Sequence, residues 1–188
     1  FQSTPLSFVD DMKELSNFII AVPFSESKTS WWSYPDLFDW IVKIVNSYPI
    51  DPSRIYLSGK SMGGFAIWSL ISHYPKYFCA AIIISGGNNP FSRLWACNSC
   101  IDWKEVDYEG LKQNVDIPIW IFHGKFDFIV PMSQSLDNAK ILTDLGNKNI
   151  KISILNQGHY ISHSILQNKE IYLWLLQYKN LTVPTRFR

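Results

Sequence analysis

Short apolar runs alternate with amphipathic segments along most of the chain, and that alternation restricts the fold more than any other feature. Residues 18–22, 54–58, 80–85, 117–122 and 150–155 have strand length and are rich in Ile, Leu, Val, Phe and Tyr. Strands apolar on both faces are buried on both faces, as in a parallel sheet covered by helices. Between them, residues 35–48, 62–74, 132–145 and 164–178 read as helices. In the first, Leu37, Trp40, Ile41, Ile44, Val45 and Tyr48 recur at helical spacing. Pro35 suits its first turn, and Asp36 and Asp39 suit the positive end of its dipole. Gly146 is a stop for the third helix. Ile171, Trp174, Leu175 and Tyr178 share a face of the last. The expectation is an α/β fold with a mostly parallel sheet and helices on both faces.

At 188 residues and 47% apolar content, the chain suits one domain, taken as 1–188. Segment 86–116 exceeds ordinary loop length and reads as a lid-like insertion. Residues 180–188 read as an exposed tail. A net charge of +1 gives no reason to expect a nucleic-acid partner, and no apolar run is long enough to span a membrane. The chain begins at Phe1, and no compartment is assigned. Cys79 lies in an apolar run and reads as a buried small hydrophobe. Cys97 and Cys100 have CxxC spacing, but a zinc site needs two more ligands at suitable spacing; two thiols or a local disulfide is the simpler reading. No metal or cofactor is expected.

Gly59-Lys60-Ser61-Met62-Gly63 matches G-x-S-x-G. The pentapeptide gains meaning from its place between a strand and a helix. A sharp turn there makes the Ser61 hydroxyl project, and small residues at 59 and 63 avoid collision with strand and helix. Gly64 and Ala66 let the helix approach the sheet. The helix N-terminus brings positive partial charge, and the Met62 backbone N–H is a donor for an oxyanion. A phosphate loop fits worse, because Arg54 stands where its first glycine would be.

A serine hydroxyl needs a base. His123-Gly124-Lys125-Phe126-Asp127 follows the strand at 117–122, and Gln157-Gly158-His159 follows the strand at 150–155. Ser61, Asp127 and His159 then meet at the carboxyl edge of the sheet, where open α/β folds bind ligands. The assigned roles are nucleophile, orienting acid and base. His163 is a weaker candidate base, near the start of the last helix. His123 reads as support for the Asp127 loop, and His73 as a helix C-terminal residue. Asp102, Asp107 and Asp116 precede the strand and fit less well.

The segment Asp51-Pro-Ser-Arg-Ile-Tyr-Leu-Ser-Gly-Lys-Ser-Met-Gly-Gly64, with His123-Gly124, Asp127, Val130-Pro131 and Gly158-His159, resembles α/β-hydrolase serine esterases. The similar groups are the phospholipase/carboxylesterase family, the polyhydroxybutyrate-depolymerase-like and feruloyl esterases, and related predicted peptidases. The likeness runs from about Phe18 to Tyr178. It implies an α/β-hydrolase fold, a Ser-His-Asp triad and a small-molecule ester substrate. Thioesters, peptides and a noncatalytic binding role stay open.

Two departures stand out. Lys60 replaces a usual apolar residue, facing either an anionic substrate or solvent. No His-Gly loop, the resemblance's source of a second oxyanion donor, precedes Phe18. In the similar sheets a strand lies between those corresponding to 18–22 and 54–58, so the N-terminal strands look missing. The expectation is a longer natural N-terminus or another segment in the gap. Trp31, Trp32 and Trp95, with Phe91, Trp103 and Tyr108, either wall an acyl or aryl pocket or pack loops onto the domain.

Overall fold

The structure, a computed structural model, describes residues 12–23, 34–87 and 107–184. Its sheet has four parallel strands in the order β1 (Tyr56–Lys60), β2 (Ala80–Ile84), β3 (Ile119–Gly124), β4 (Ile150–Leu155). The helices are α1 (Tyr34–Ser47), α2 (Met62–His73), α3 (Tyr108–Gln113), α4 (Met132–Asp144), α5 (Ser162–Leu166) and α6 (Lys169–Leu175).

Side chains alternate across the sheet into two cores. Ala81, Ile83, Ile119 and Ile121 join Phe38 of α1, Trp68 and Ile71 of α2, and Leu142 of α4. Ile82, Ile84, Trp120 and Phe122 join Ile165 of α5 and Ile171 and Trp174 of α6. All five residues of β2 are buried, which explains why this run carries no polar alternation.

Three boundaries differ from the sequence reading. β1 starts at Tyr56 because the Asp51 carboxylate accepts from the Ser53 N–H at 2.9 Å, capping a 3-10 turn over Pro52–Arg54. β3 starts at Ile119, after Pro118, which has no N–H to give the ladder. It continues through His123 and Gly124, which pair with Ile154 and Leu155. The last helix is broken in two. The Asn168 side chain accepts from the Glu170 N–H at 3.0 Å and starts α6 afresh.

The expected strand at 18–22 is not one. A strand exists through its ladder, and among the described residues this run has no hydrogen-bonded strand neighbour. Ile19, Ile20 and Val22 are exposed, while Phe18 rests edge-on against Tyr56 and Tyr172. Residues 18–22 and β1 therefore do not pair, and among the described residues no strand covers the outer edge of β1.

The expected tail is anchored at its start. Asn180 donates its backbone N–H to Ser53 O at 2.9 Å and its amide to Lys76 O at 2.6 Å, and Val183 is buried in the core. Within segment 86–116, α3 packs against α2: a side chain at Gly110 would run into the Ser72 carbonyl. Trp31, Trp32, Phe91, Trp95, Cys97, Cys100 and Trp103 lie outside the described residues. No helix among the described residues is long and apolar enough to cross a membrane.

Candidate active site

Ser61 joins β1 to α2 with φ +52° and ψ −116°, a left-handed conformation that costs a residue bearing a Cβ on the order of 1–3 kcal/mol. The surroundings impose it. The Ser61 N–H donates to Ile84 O at 2.8 Å, while its carbonyl accepts from Gly64 and Phe65. Gly59 is needed for the turn, because a Cβ there would lie 2.4 Å from Gly63 O. Gly64 lets α2 approach the end of β2: a Cβ would lie 2.8 Å from the Gly86 Cα. Gly63 corrects the sequence reading, since a Cβ there would meet nothing within 4 Å.

The loops after β3 and β4 are fastened together. Lys125 N–H donates to Leu155 O at 2.7 Å, and Phe126 N–H to Gln157 O at 2.9 Å. Gly124 is what allows the contact, because a side chain there would strike the Gly158 carbonyl. Asp127 and His159 are thereby brought to Ser61. His159 Nε2 lies 3.0 Å from Ser61 Oγ, and His159 Nδ1 lies 2.8 Å from Asp127 Oδ2. The second carboxylate oxygen, Oδ1, accepts from the backbone N–H of Ile129 at 2.9 Å and of Val130 at 2.8 Å.

Asp127 and His159 are buried, and Ser61 is half-buried. Burial alone would push the Asp127 carboxyl up. The hydrogen bonds from His159 and from the Val130 and Ile129 N–H groups outweigh it and hold the carboxyl below the usual range. A carboxylate so held accepts from Nδ1–H, which leaves the Nε2 lone pair for the Ser61 proton.

Several residues surround this constellation. His123 Nε2 lies 2.9 Å from Val130 O and 3.3 Å from Asp127 Oδ2, and its Nδ1 lies 2.8 Å from Ser135 Oγ. The Ser135 hydroxyl is also 2.6 Å from Gly86 O. Ser85, with φ +48°, donates from Oγ to the His159 carbonyl at 3.4 Å. Sequence reasoning missed Ser85 and Ser135. Nothing in the sequence sets Ser135 apart from the other polar residues of α4; its burial, with that of Gln134 and Asn138, appears only once the helix is docked. Lys60 lies with Nζ 4.6 Å over the Tyr160 ring, so the residue before Ser61 meets the residue after His159.

Met62 opens α2, where helix geometry leaves its N–H without an intrahelical acceptor. His163 is exposed on α5, and the hydrogen bond to Ser61 comes from His159. His73 ends α2, its Nδ1 2.9 Å from Ser69 O. Cys79 is buried, which pushes its thiol up to about 11. Among the described residues, no cluster of three or more His, Cys, Asp or Glu is arranged to hold a metal.

The model of the prolyl oligopeptidase family matches residues 26–182. This chain belongs to that family. The match agrees with the esterase and peptidase resemblance in the sequence and narrows it. Dipeptidyl-peptidase 5 of Porphyromonas gingivalis is 24% identical over 148 residues, covering 67% of this chain and 22% of the relative. Among solved structures, a thermostable esterase superposes with a TM-score of 0.60 at 28% identity, over 76% of this chain and 36% of its own. The acylaminoacyl peptidase of Pyrococcus horikoshii does so with a TM-score of 0.63 at 18% identity, over 81% of this chain and 28% of its own. The fold is that of an α/β-hydrolase, and this chain spans about a fifth to a third of these relatives.

Proposed function

We propose that residues 1–188 are one α/β-hydrolase domain acting as a serine hydrolase that cleaves carboxylic esters through an acyl-enzyme. The observation that carries this reading is the chain of contacts Ser61 Oγ, His159 Nε2, His159 Nδ1, Asp127 Oδ2, at 3.0 Å and 2.8 Å. Ser61 Oγ attacks the ester carbonyl as His159 Nε2 takes its proton. Asp127 holds the tautomer and stabilises the imidazolium. The tetrahedral oxyanion accepts from the Met62 N–H at the start of α2. As the C–O bond breaks, His159 returns the proton to the leaving alcohol. Water, deprotonated by His159, then releases the acid and restores Ser61. Side chains and backbone carry every step.

Amide or peptide cleavage is a second reading, favoured by the family and by the two peptidase relatives. It uses the same acyl-enzyme and differs in the leaving group. Trp31, Trp32 and Trp95 are proposed to contribute to an acyl or aryl pocket.

A fluorophosphonate probe applied to the full-length protein tests the reading. Ser61 is expected to be labelled, and S61A is expected to lose labelling and about 10⁴-fold or more in turnover. Absence of labelling in the wild type would favour a noncatalytic role. Matched p-nitrophenyl esters and acyl p-nitroanilides then separate esterase from peptidase.

A further inference from the structure

Asp127 and His123 both have completely buried side chains. A buried carboxylate needs its lone pairs filled, and the two oxygens of Asp127 have about four acceptor sites. Oδ1 takes two backbone N–H groups, and Oδ2 takes His159 Nδ1–H at 2.8 Å. Among the described residues, His123 Nε2 also approaches Oδ2, at 3.3 Å, with its hydrogen directed to Val130 O at 2.9 Å as well. The backbone donors anchor one oxygen. The donors on Oδ2 then fix the rotation of the carboxylate and hence the direction in which it aims the His159 ring.

The hydrogen on His123 is decided by its neighbours. Nε2 faces Val130 O and Asp127 Oδ2, both acceptors, so Nε2 carries a hydrogen. Nδ1 meets Ser135 Oγ, whose other neighbour is Gly86 O at 2.6 Å. In the neutral ring Nδ1 accepts the Ser135 hydrogen. In the charged ring Nδ1 donates to Ser135 Oγ, and the hydroxyl turns to Gly86 O. Either state keeps Nε2–H between Val130 O and Asp127 Oδ2, so the ring holds its aim through a change of charge.

We propose that His123 is a positioning residue for the candidate triad, its single Nε2–H shared between Val130 O at 2.9 Å and Asp127 Oδ2 at 3.3 Å and its ring aimed by Ser135. The proposal rests on the reading of Ser61, His159 and Asp127 as a triad. It adds to loop support a polar role in the reaction, transmitted through the carboxylate. The titratable groups facing His123 are Asp127 and His159; α4 contributes the uncharged Ser135, and the end of β2 contributes the Gly86 carbonyl. Burial pushes the His123 ring below its ordinary range, against the pull of Val130 O and Asp127.

The test is the pH dependence of fluorophosphonate labelling of the full-length protein, compared for wild type, H123F and H123Q. H123F keeps ring bulk but removes the donor. Its labelling rate at the optimum is expected to fall about 10-fold, within the range of acid–base effects. The midpoint of its acid limb is expected to rise by about half a unit, because Oδ2 then directs more of its charge at the His159 imidazolium. H123Q, with an amide N–H near the Nε2 position, is expected to recover most of the rate and return the midpoint. An unmoved midpoint in H123F, or H123Q as impaired as H123F, overturns the proposal and leaves a packing role. If H123F does not fold, S135A replaces it: the midpoint must rise there too, and an unmoved midpoint overturns the proposal. A wild type that does not label overturns the triad reading as well, so the two failures are distinguishable.

Discussion

At the C-terminal ends of β1 to β4, buried polar groups meet one another: Asp127 accepts from three donors with His123 Nε2 3.3 Å away, and His123 is held at both ring nitrogens. Along the outer edge of β1 the reverse holds. No strand covers that edge among the described residues, and Ile19, Ile20 and Val22 stand exposed beside it. The contrast teaches that Ser61, His159 and Asp127 depend on the inner ladder of the sheet. Ser61 is tied to β2, and the Asp127 loop to the His159 loop.

Four substitutions break or sharpen this comparison. D127N is expected to have the largest effect, a loss of about 10⁴ in kcat, because an amide offers His159 the wrong partner set. It also tests the charge. The wild-type carboxyl is held low in the folded state, so its stabilisation is complete above an unfolded value of about 3.9 and is lost as pH falls below that. Melting temperatures of the two proteins from pH 7 to pH 3 are expected to converge below about pH 4. A gap that stays constant would remove Asp127 from the acid response.

Next come G59A and G63A, which look equivalent in the pentapeptide. G59A forces a Cβ against backbone at 2.4 Å and is expected to cost about 3 kcal/mol or more in denaturant unfolding. G63A meets open space inside α2 and is expected to be neutral, or to stabilise by up to about 1 kcal/mol through helix propensity. The smallest effect belongs to the β1 side: I20T is expected to change stability by less than about 0.5 kcal/mol, because Ile20 is 42% exposed.

What the sequence discloses follows from which interactions are local. The β4 range was read as 150–155 and is Ile150–Leu155, because its apolar run and flanking turns agree. That Ser61, Asp127 and His159 would come together was legible because each follows a strand; Gly59 serves the turn before Ser61 and Gly124 the close approach before Asp127, whereas Gly158 has room for a side chain. Residues 18–22 were misread because apolar composition does not supply a hydrogen-bonding neighbour. Val183 was misread because its burial depends on Asn180 reaching Ser53 and Lys76, contacts far apart in the chain. Gly63 was assigned a steric duty by its symmetry with Gly59, and only the geometry of the turn separates the two. The pairing of Ser135 with His123 depends on how α4 docks.

The positive φ of Ser61 sets stability and reactivity at odds at one position. Glycine would sit there without the strain, so S61G relaxes the turn as it removes the proposed nucleophile. A selection scored only on resistance to heat would therefore drift toward a sturdier protein without the Ser61 hydroxyl. Any programme to harden this domain has to count turnovers alongside melting temperature.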